Sequence, residues 1–296
     1  MLFGTEERQK DILTHANEYA NNNGMKLIFG AMVGSVSKGL QYADSDYDTR
    51  FLYLRNDFPD NICIPSQMRE EELVKRYYFS GKVYEWIPFW EMTSFLQFLK
   101  EPSLYNDFSV GLYNIVGWTF KSPYIWDPYG LQNKLVPLID SIFIPQYEIE
   151  YHKKIIDKYR TEFGKEYVIT KSYLYAIHAA ATIEWSIVYN MNPPIDLQAL
   201  LMGLKHNDVW EEVRIMLKNA RILVRKDAAS SGDVLLHGAH FNVKTSKNEL
   251  VEEYIDKMYS LQVECREINE TIYNETINNM YKIIYRSVYE NEELLF

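Results

Sequence analysis

A glycine–serine pair and two aspartates occupy one short stretch of the chain, residues 32–54, MVGSVSKGLQYADSDYDTRFLYL. Asp46 and Asp48 are two residues apart, so on an extended segment their carboxylates point to the same face. Adjacent carboxylates repel each other unless a cation lies between them, and Mg²⁺ prefers oxygen ligands while retaining water and phosphate oxygens. Gly34 lets the backbone approach a ligand closely, and Ser35 offers a hydroxyl and an amide to phosphate oxygens. The stretch therefore predicts a site for a metal ion and a triphosphate.

Two well-known phosphate and calcium motifs do not match the same residues. A Walker P-loop requires G-x-x-x-x-G-K-[ST], but Gly39 is followed by Leu40 and the lysine precedes the glycine. An EF-hand loop starting at Asp44 requires glycine sixth and glutamate twelfth, where this chain has Thr49 and Arg55. Neither site is expected here.

A third motif and a purely structural interpretation compete for the stretch. Ser35 and Lys38 satisfy S-x-x-K, the nucleophile motif of penicillin-binding and β-lactamase folds, and residues 244–246 loosely resemble the later K-T-G. The middle S-D-N element is absent, and two fixed positions in four arise by chance, so we do not expect acyl transfer. The three aspartates of residues 44–48 could also be turn residues, because Asp favours turns. The glycine–serine pair between two predicted strands favours the metal and triphosphate site instead.

The elements that must position these residues can be predicted from local patterns. Residues 26–34 and 48–54 read as two buried strands on either side of the candidate site. Residues 6–21, which begin with two glutamates after a capping threonine, predict a helix. Residues 75–89, KRYYFSGKVYEWIPF, predict a hairpin that turns at a Ser-Gly pair.

Composition indicates a folded globular protein with two domains. The chain has 296 residues, of which 47% are hydrophobic and 24% charged. Glycine and proline punctuate residues 123–145, and helical patterns follow. We predict an N-terminal domain over residues 1–124 that carries the candidate site, and a mainly α-helical domain over residues 125–296.

Charge and cysteine content narrow the partners and the compartment. The formal net charge of −10 argues against a broad basic surface that holds nucleic acid by neutralising phosphates. The two cysteines, Cys63 and Cys265, are far apart, and the N-terminus lacks the pattern of a secretory signal, so we expect a reducing, cytoplasmic compartment. No apolar run approaches the roughly 18 residues of a transmembrane helix, so we expect no membrane association.

The C-terminal region predicts a helix with a coiled-coil-like seam. The apolar residues of the seam are spaced by three and four: Val251, Tyr254, Met258, Leu261, Cys265, Ile268 and Ile272. Such a seam could join two copies of the chain into a homo-oligomer. Packing within its own helical bundle is favoured, because such short repeats seldom specify association alone.

The candidate site resembles a known superfamily. The residues Gly34-Ser35, Gly39, Ser45-Asp46, Asp48 and Arg50 resemble the G-S-x-x-x-G…S-D-x-D-x-R pattern of the DNA polymerase β superfamily of nucleotidyltransferases. Residues 85–108 and 171–200 resemble a narrower family, the predicted nucleotidyltransferases associated with RNA ligase and RNA repair. The resemblance implies an α+β fold, with a small mixed β-sheet flanked by helices and an α-helical domain behind it.

The resemblance also implies roles for individual residues. Gly34 and Ser35 would hold the β- and γ-phosphates of an NTP, and Asp46 and Asp48 would bind two metal ions, Mg²⁺ or Mn²⁺. A third carboxylate from a neighbouring strand would bind the catalytic metal and help to deprotonate the attacking hydroxyl.

Two glutamates compete for the third position. Glu85 lies within a predicted strand, and Glu91 lies at a predicted helix start. We prefer Glu85, because a strand holds a metal ligand more firmly than the first turn of a helix does. Glu91 stays open as the alternative.

Three basic residues are assigned to the NTP: Lys38, Arg50 and Lys171. Arg50 could equally pair with an aspartate in a structural role, and Lys171 could be an exposed lysine at a helix start. The chain departs from the family at Ser94 and His178, where basic residues are expected. Both departures remove positive charge from the region that would receive phosphate.

The implied activity is transfer of a nucleoside monophosphate from an NTP to an acceptor hydroxyl. The family association suggests an RNA 3′ end, while a protein hydroxyl or a small molecule stays open as acceptor. The alternative is a non-catalytic nucleotide-binding or partner-binding protein that keeps the nucleotidyltransferase fold, which the departures at Ser94 and His178 motivate.

Overall fold

The chain divides into two compact units. The structure, a computed structural model, describes residues 6–42, 45, 48–55, 74–78, 86–92, 95, 96, 99, 109–161, 163–230, 243–262 and 269–290. Unit 1 comprises Met1–Gly34, Tyr47–Ile142 and Ile268–Phe296, and unit 2 comprises Ser35–Asp46 and Phe143–Glu267. The predicted boundary at residue 124 falls within unit 1 in this division.

The described elements of the first half of the chain include both helices and strands, and helices dominate the second half. In chain order the elements are α1 (Glu6–Asn22), β1 (Met25–Met32), α2 (Gly34–Ser37), β2 (Thr49–Arg55), β3 (Val74–Tyr78), β4 (Trp86–Glu91), α3 (Ser109–Phe120), β5 (Ile125–Trp126), α4 (Leu131–Ser141), α5 (Pro145–Arg160), β6 (Tyr167–Ile169), α6 (Thr170–Tyr189), α7 (Leu197–Gly203), α8 (Asn207–Ser230), β7 (Lys244–Ser246), α9 (Glu249–Ser260) and α10 (Glu270–Tyr285), followed by a π-helical turn (Arg286–Glu290).

Unit 1 is built on a five-stranded mixed sheet of order β3-β4-β2-β1-β5. Strands β2 and β4 are parallel, whereas β1 with β2, β1 with β5 and β3 with β4 are antiparallel. The two strands predicted beside the candidate site are thus confirmed as β1 and β2. The antiparallel pairing of the predicted hairpin is confirmed as β3 and β4, while its predicted Ser80-Gly81 turn and Glu85 lie outside the described residues. Helix α1 is also confirmed.

Aromatic side chains fill the core of unit 1. The rings of Phe51 on β2 and Phe89 on β4 are stacked with centroids 5.8 Å apart. On β1, Phe29 is fully buried and its ring lies 4.8 Å from that of Phe120 on α3. Rings of this size bury enough apolar area to anchor helices α1 and α3, which pack against β1.

Unit 2 is organised around helix α6. As its nearly uniform apolar sequence predicts, most of α6 is buried, including the fully buried Ala176, Ala179 and Ala180. Helices α5 and α9 pack on α6, where small alanine side chains permit a close approach. Strands β6 and β7 form a separate antiparallel pair.

The prediction of one long C-terminal helix is wrong. Helix α9 ends at Ser260, and Leu261 has extended backbone angles, φ −65° and ψ 132°. The ammonium group of Lys153 on α5 donates a hydrogen bond to the Leu261 carbonyl oxygen, which another helical turn would otherwise take. The seam therefore does not continue into α10, whose Ile272 is 57% exposed.

The fold class agrees with the expectation from the sequence. The protein has an α+β fold, with a small mixed sheet beside helices in unit 1 and a mainly helical unit 2. Among the residues described, no helix is both long enough and apolar enough to cross a membrane.

Candidate functional site

Gly34 and Asp48 meet at the ends of β1 and β2. Gly34 has a left-handed backbone, φ 69°, and a Cβ atom at this position would overlap the Asp48 carboxylate. The Val33 N–H donates to the Asp48 carbonyl oxygen at 2.8 Å, which fixes the two strand ends together. Glycine is required here both by the backbone angle and by the space that the carboxylate occupies.

Arg50 is tied to helix α3. Its guanidinium donates to the Thr119 hydroxyl at 2.5 Å and to the Ile115 carbonyl oxygen at 3.5 Å, and it lies 5.7 Å from the Trp90 ring centroid. Burial lowers the pKa of Arg50 to about 10, and the negative charge of Asp48 opposes this shift. Arg50 thus contributes positive charge near Asp48 from a fixed position on the sheet.

Glu91 is the last residue of strand β4, and the helical residues predicted after it begin at Met92, one position later. Glu91 pairs with Tyr53 of β2 and is 2% exposed. Burial and then the charge of Glu91 raise the pKa of Tyr53. Because β2 and β4 are parallel, Glu91 is level with Tyr53, which is five residues after Asp48. At about 3.3 Å per residue, the backbone positions of Glu91 and Asp48 are therefore about 17 Å apart along the strands. Metal–oxygen bonds of about 2.0–2.6 Å cannot span that separation, so Glu91 and Asp48 cannot share one ion.

The opposite end of β4 lies beside the start of β2. The pairing of Phe51 with Phe89 puts Trp86, the first residue of β4, level with Asp48. Glu85 directly precedes Trp86, and both Glu85 and Asp46 lie outside the described residues. Within the described part of the chain, no three His, Cys, Asp or Glu side chains are grouped for a metal ion. Two of the three predicted ligands fall outside that set.

Segment 35–42, which begins with the predicted phosphate ligand Ser35, belongs to unit 2 and is folded tightly on itself. The Leu40 N–H donates to the Ser35 carbonyl oxygen at 2.9 Å, and the Gly39 N–H donates to the Val36 carbonyl oxygen at 3.1 Å. Gly39 has a left-handed φ of 72°, and a Cβ atom there would lie 2.7 Å from Asp196 Oδ2. The second glycine of the motif is thus also required by backbone angle and by space.

Lys38 and Lys171, predicted from distant parts of the sequence, lie over the same aromatic ring in unit 2. The ammonium group of Lys38 is 4.8 Å from the Tyr175 ring centroid, and that of Lys171 is 5.8 Å from it. Lys171 and Tyr175 are four residues apart on the first turns of α6. A cation over an aromatic face is attracted by the ring quadrupole, so Tyr175 can hold two positive charges close together.

His178 is buried rather than turned toward a ligand. Its Nε2 donates to the Ile195 carbonyl oxygen at 2.8 Å. Burial, followed by the charges of Lys38 and His152, holds the pKa of His178 well below its usual range. The imidazole is therefore neutral and supports the chain just before helix α7. Ser94, the other departure from the family, lies outside the described residues.

Two residues that the sequence analysis missed contact segment 35–42. Asp196 caps helix α7 by accepting the Ala199 N–H at 2.8 Å, and its carboxylate lies beside Gly39. Arg221 of α8 donates to two carbonyl oxygens of the segment. An Asp before a helix is a general cap signal, and Arg221 stands in an ordinary amphipathic helix. No local motif marks either as part of a site.

Comparison with known proteins finds a similarity at low identity. The chain is 20% identical over 275 residues to the uncharacterized protein YcgL of Bacillus subtilis (strain 168), a match that covers 92% of this chain and 97% of that protein. No protein-family model matches the chain.

Proposed function

We propose that the protein is a metal-dependent nucleotidyltransferase of the polymerase β type, which transfers a nucleoside monophosphate from an NTP to an acceptor hydroxyl. The observation that carries the proposal is the approach of the Asp48 carboxylate to Gly34, at a glycine–serine turn between two paired strands. Backbone N–H groups of a tight turn can bind phosphate oxygens, and a carboxylate next to the turn can bind a cation.

The proposed metal ligands are Asp46, Asp48 and Glu85, and the ion is Mg²⁺ or Mn²⁺. The oxygen donors of this set suit a hard divalent ion, and one of them, the Asp48 carboxylate, occupies the space beside Gly34 that a Cβ would fill. When bound, the metal would neutralise charge on the phosphates and lower the pKa of the acceptor hydroxyl.

The residues of the chain supply binding, orientation and proton transfer. Gly34 and Ser35 would hold the β- and γ-phosphates, and Lys38 and Lys171 would add positive charge to the triphosphate. Glu85 would take the proton of the acceptor hydroxyl. The hydroxyl oxygen then forms a bond to the α-phosphorus while the bond from the α-phosphorus to the bridging oxygen breaks, and pyrophosphate leaves with that oxygen. Arg50 would stabilise the Asp48 carboxylate from the side of helix α3.

An RNA 3′ end is the proposed acceptor, on the basis of the resemblance to the RNA-repair family. The net charge of −10 means that such an RNA would be held at a local site rather than across a broad basic surface. Protein hydroxyls and small molecules are the other acceptors to be distinguished by experiment.

The test is to incubate the protein with each α-labelled NTP, Mg²⁺ or Mn²⁺ and a pool of RNA, and to follow label and pyrophosphate. We expect Asp48→Asn and Asp46→Ala to reduce transfer by at least about a hundredfold, because each removes a metal ligand. The matched control is Glu91→Gln, a buried carboxylate at the far end of β4 that should retain activity within a few-fold.

Each outcome of this assay indicates a different activity. Metal-dependent labelling of RNA by the wild type alone supports the proposal and names the nucleotide. Labelling of the protein itself indicates a protein acceptor. Metal-dependent NTP binding without pyrophosphate release, under all acceptors tried, supports a non-catalytic nucleotide-binding protein and contradicts the proposed activity.

A further inference from the structure

Arg221, on helix α8, donates two hydrogen bonds to the backbone of segment 35–42. Its Nε donates to the Gln41 carbonyl oxygen at 3.1 Å, and its Nη2 donates to the Gly39 carbonyl oxygen at 3.1 Å. The guanidinium is planar and presents its donors in a fixed fork, so the two bonds set both the distance and the orientation of the segment. Hydrogen bonds from a charged donor are also stronger than those between neutral groups.

The neighbouring carbonyl is held as well. The Leu197 N–H, at the start of α7, donates to the Lys38 carbonyl oxygen at 3.1 Å. The carbonyl oxygens of Lys38, Gly39 and Gln41 are therefore all bound by helices of unit 2. Lys38 is the residue of this segment whose ammonium group lies over Tyr175 beside Lys171.

One of the two bound carbonyls belongs to a left-handed glycine. Gly39 has φ 72°, and Arg221 binds its carbonyl together with the Gln41 carbonyl one residue beyond Leu40. Leu40 itself is buried and packs in the core of unit 2. The segment is thus fixed by apolar packing of Leu40 and by the two hydrogen bonds from Arg221.

We propose that Arg221 is a positioning residue that holds segment 35–42 so that Ser35 and Lys38 meet the phosphates of the nucleotide. The inference rests on the proposed function for its ligand, and on geometry within unit 2 for its mechanism. Arg221 acts through the segment, so its loss should weaken nucleotide binding and leave the chemical step nearly unchanged.

The experiment compares Arg221→Ala and Arg221→Lys with the wild type. We expect KM for the NTP to rise about tenfold in Arg221→Ala, as for the loss of one charge-assisted hydrogen bond, while kcat stays within twofold. Arg221→Lys keeps the charge but loses the fork and should show most of the same rise. Millimolar guanidinium should restore much of the affinity in Arg221→Ala.

The matched control is Arg214→Ala, seven residues earlier on the same helix, where the exposed arginine pairs with Glu211. It should leave KM unchanged. A double-mutant cycle with Lys38→Ala tests whether Arg221 acts through Lys38. If it does, the change in KM of the double variant will be smaller than the combined changes of the two single variants. Full additivity, or an unchanged KM in Arg221→Ala, would overturn the proposal.

Amide hydrogen exchange supplies a measurement that needs no nucleotide. The Gly39 and Leu40 N–H groups are hydrogen-bonded within the segment, so their exchange should quicken in Arg221→Ala and not in Arg214→Ala. Unchanged exchange would overturn the positioning role even if activity fell. A third outcome is that exchange quickens in Arg221→Ala but the wild type neither binds nor transfers any NTP. That result would refute the proposed function and would still show that Arg221 anchors the segment.

Discussion

Glycines at two positions restrict what the chain can do around the candidate site. A Cβ atom at Gly34 would overlap the Asp48 carboxylate, and a Cβ atom at Gly39 would lie too close to the Asp196 carboxylate. Both have positive φ angles, which cost other residues free energy. Each glycine therefore leaves room for a carboxylate close to the backbone, one in each unit of the protein.

Gly34→Ala should abolish the proposed transfer, because the added methyl group displaces the Asp48 carboxylate. The free energy of unfolding should also fall by more than the about 1 kcal/mol of a left-handed alanine alone. Gly24→Ala is the control, since Gly24 has φ 64° with no atom within 4 Å of the added Cβ. Denaturant titration and the transfer assay measure both effects. Equal losses in the two variants would show that the carboxylate contact has no role.

At the scale of elements, helices α5 and α6 bring two buried histidines together. The rings of His152 and His178 are 6.2 Å apart. His152 Nδ1 lies 2.9 Å from the Glu148 carbonyl oxygen and 3.4 Å from its carboxylate, and Tyr151 packs on the ring. Burial lowers the pKa of His152 to about 3, while the Glu148 backbone bond opposes this shift and the charge of Lys38 adds to it. The pair is neutral in the folded protein.

The free energy of unfolding of unit 2 should therefore fall as the pH is lowered. The unfolded chain binds a proton at His152 below pH about 6.5, and the folded chain does so only near pH 3. The free energy of unfolding then falls by about 1.4 kcal/mol per pH unit in this window for His152, and His178 adds a fall of the same sign. Denaturant titrations at pH 7 and pH 5 measure the slope. His152→Gln should make it shallower, and an unchanged slope would show that this histidine titrates normally.

Helix α9 uses its apolar face inside the bundle. Met258 is 2% exposed, whereas Ile272, predicted on the same seam, is 57% exposed on α10. Met258→Ala should lower the free energy of unfolding by about 2–5 kcal/mol, and Ile272→Ala should change it by less than about 0.5 kcal/mol. Sedimentation should give the same mass for both variants and the wild type. A mass that falls in Met258→Ala would instead reveal association through the seam.

At the scale of the whole molecule, features that depend on neighbours in sequence were predictable. Apolar runs located β1 and β2, and uniform apolarity placed α6 in a core. The glycine–serine turn and Asp48 were found by spacing, and the fold brings them together. Glu91 was placed at a helix start because the residues after it have helical spacing. The helical residues do begin at Met92, and pairing with Tyr53 of a distant strand keeps Glu91 itself in β4.

Long-range contacts account for what sequence patterns missed. Arg221 reaches carbonyls 180 and 182 residues earlier in the chain, and nothing in its own helix distinguishes it from other surface arginines. The Leu261 carbonyl, just beyond the end of α9, is likewise bound by Lys153, 108 residues earlier. Such contacts follow from tertiary packing, which no local periodicity encodes.

The threading of the chain through its two units has a consequence for synthesis. Unit 1 contains both an early portion of the chain and α10, whose Tyr273 hydroxyl bonds the Leu99 carbonyl. Unit 2 contains segment 35–42, which leaves the ribosome long before the helices that bind it. The segments of the two units therefore alternate in the order of translation, and each unit is completed only after part of the other has been translated. Neither unit can be obtained intact by cutting the gene once, and a nascent chain completes unit 1 only after all of unit 2 has been translated.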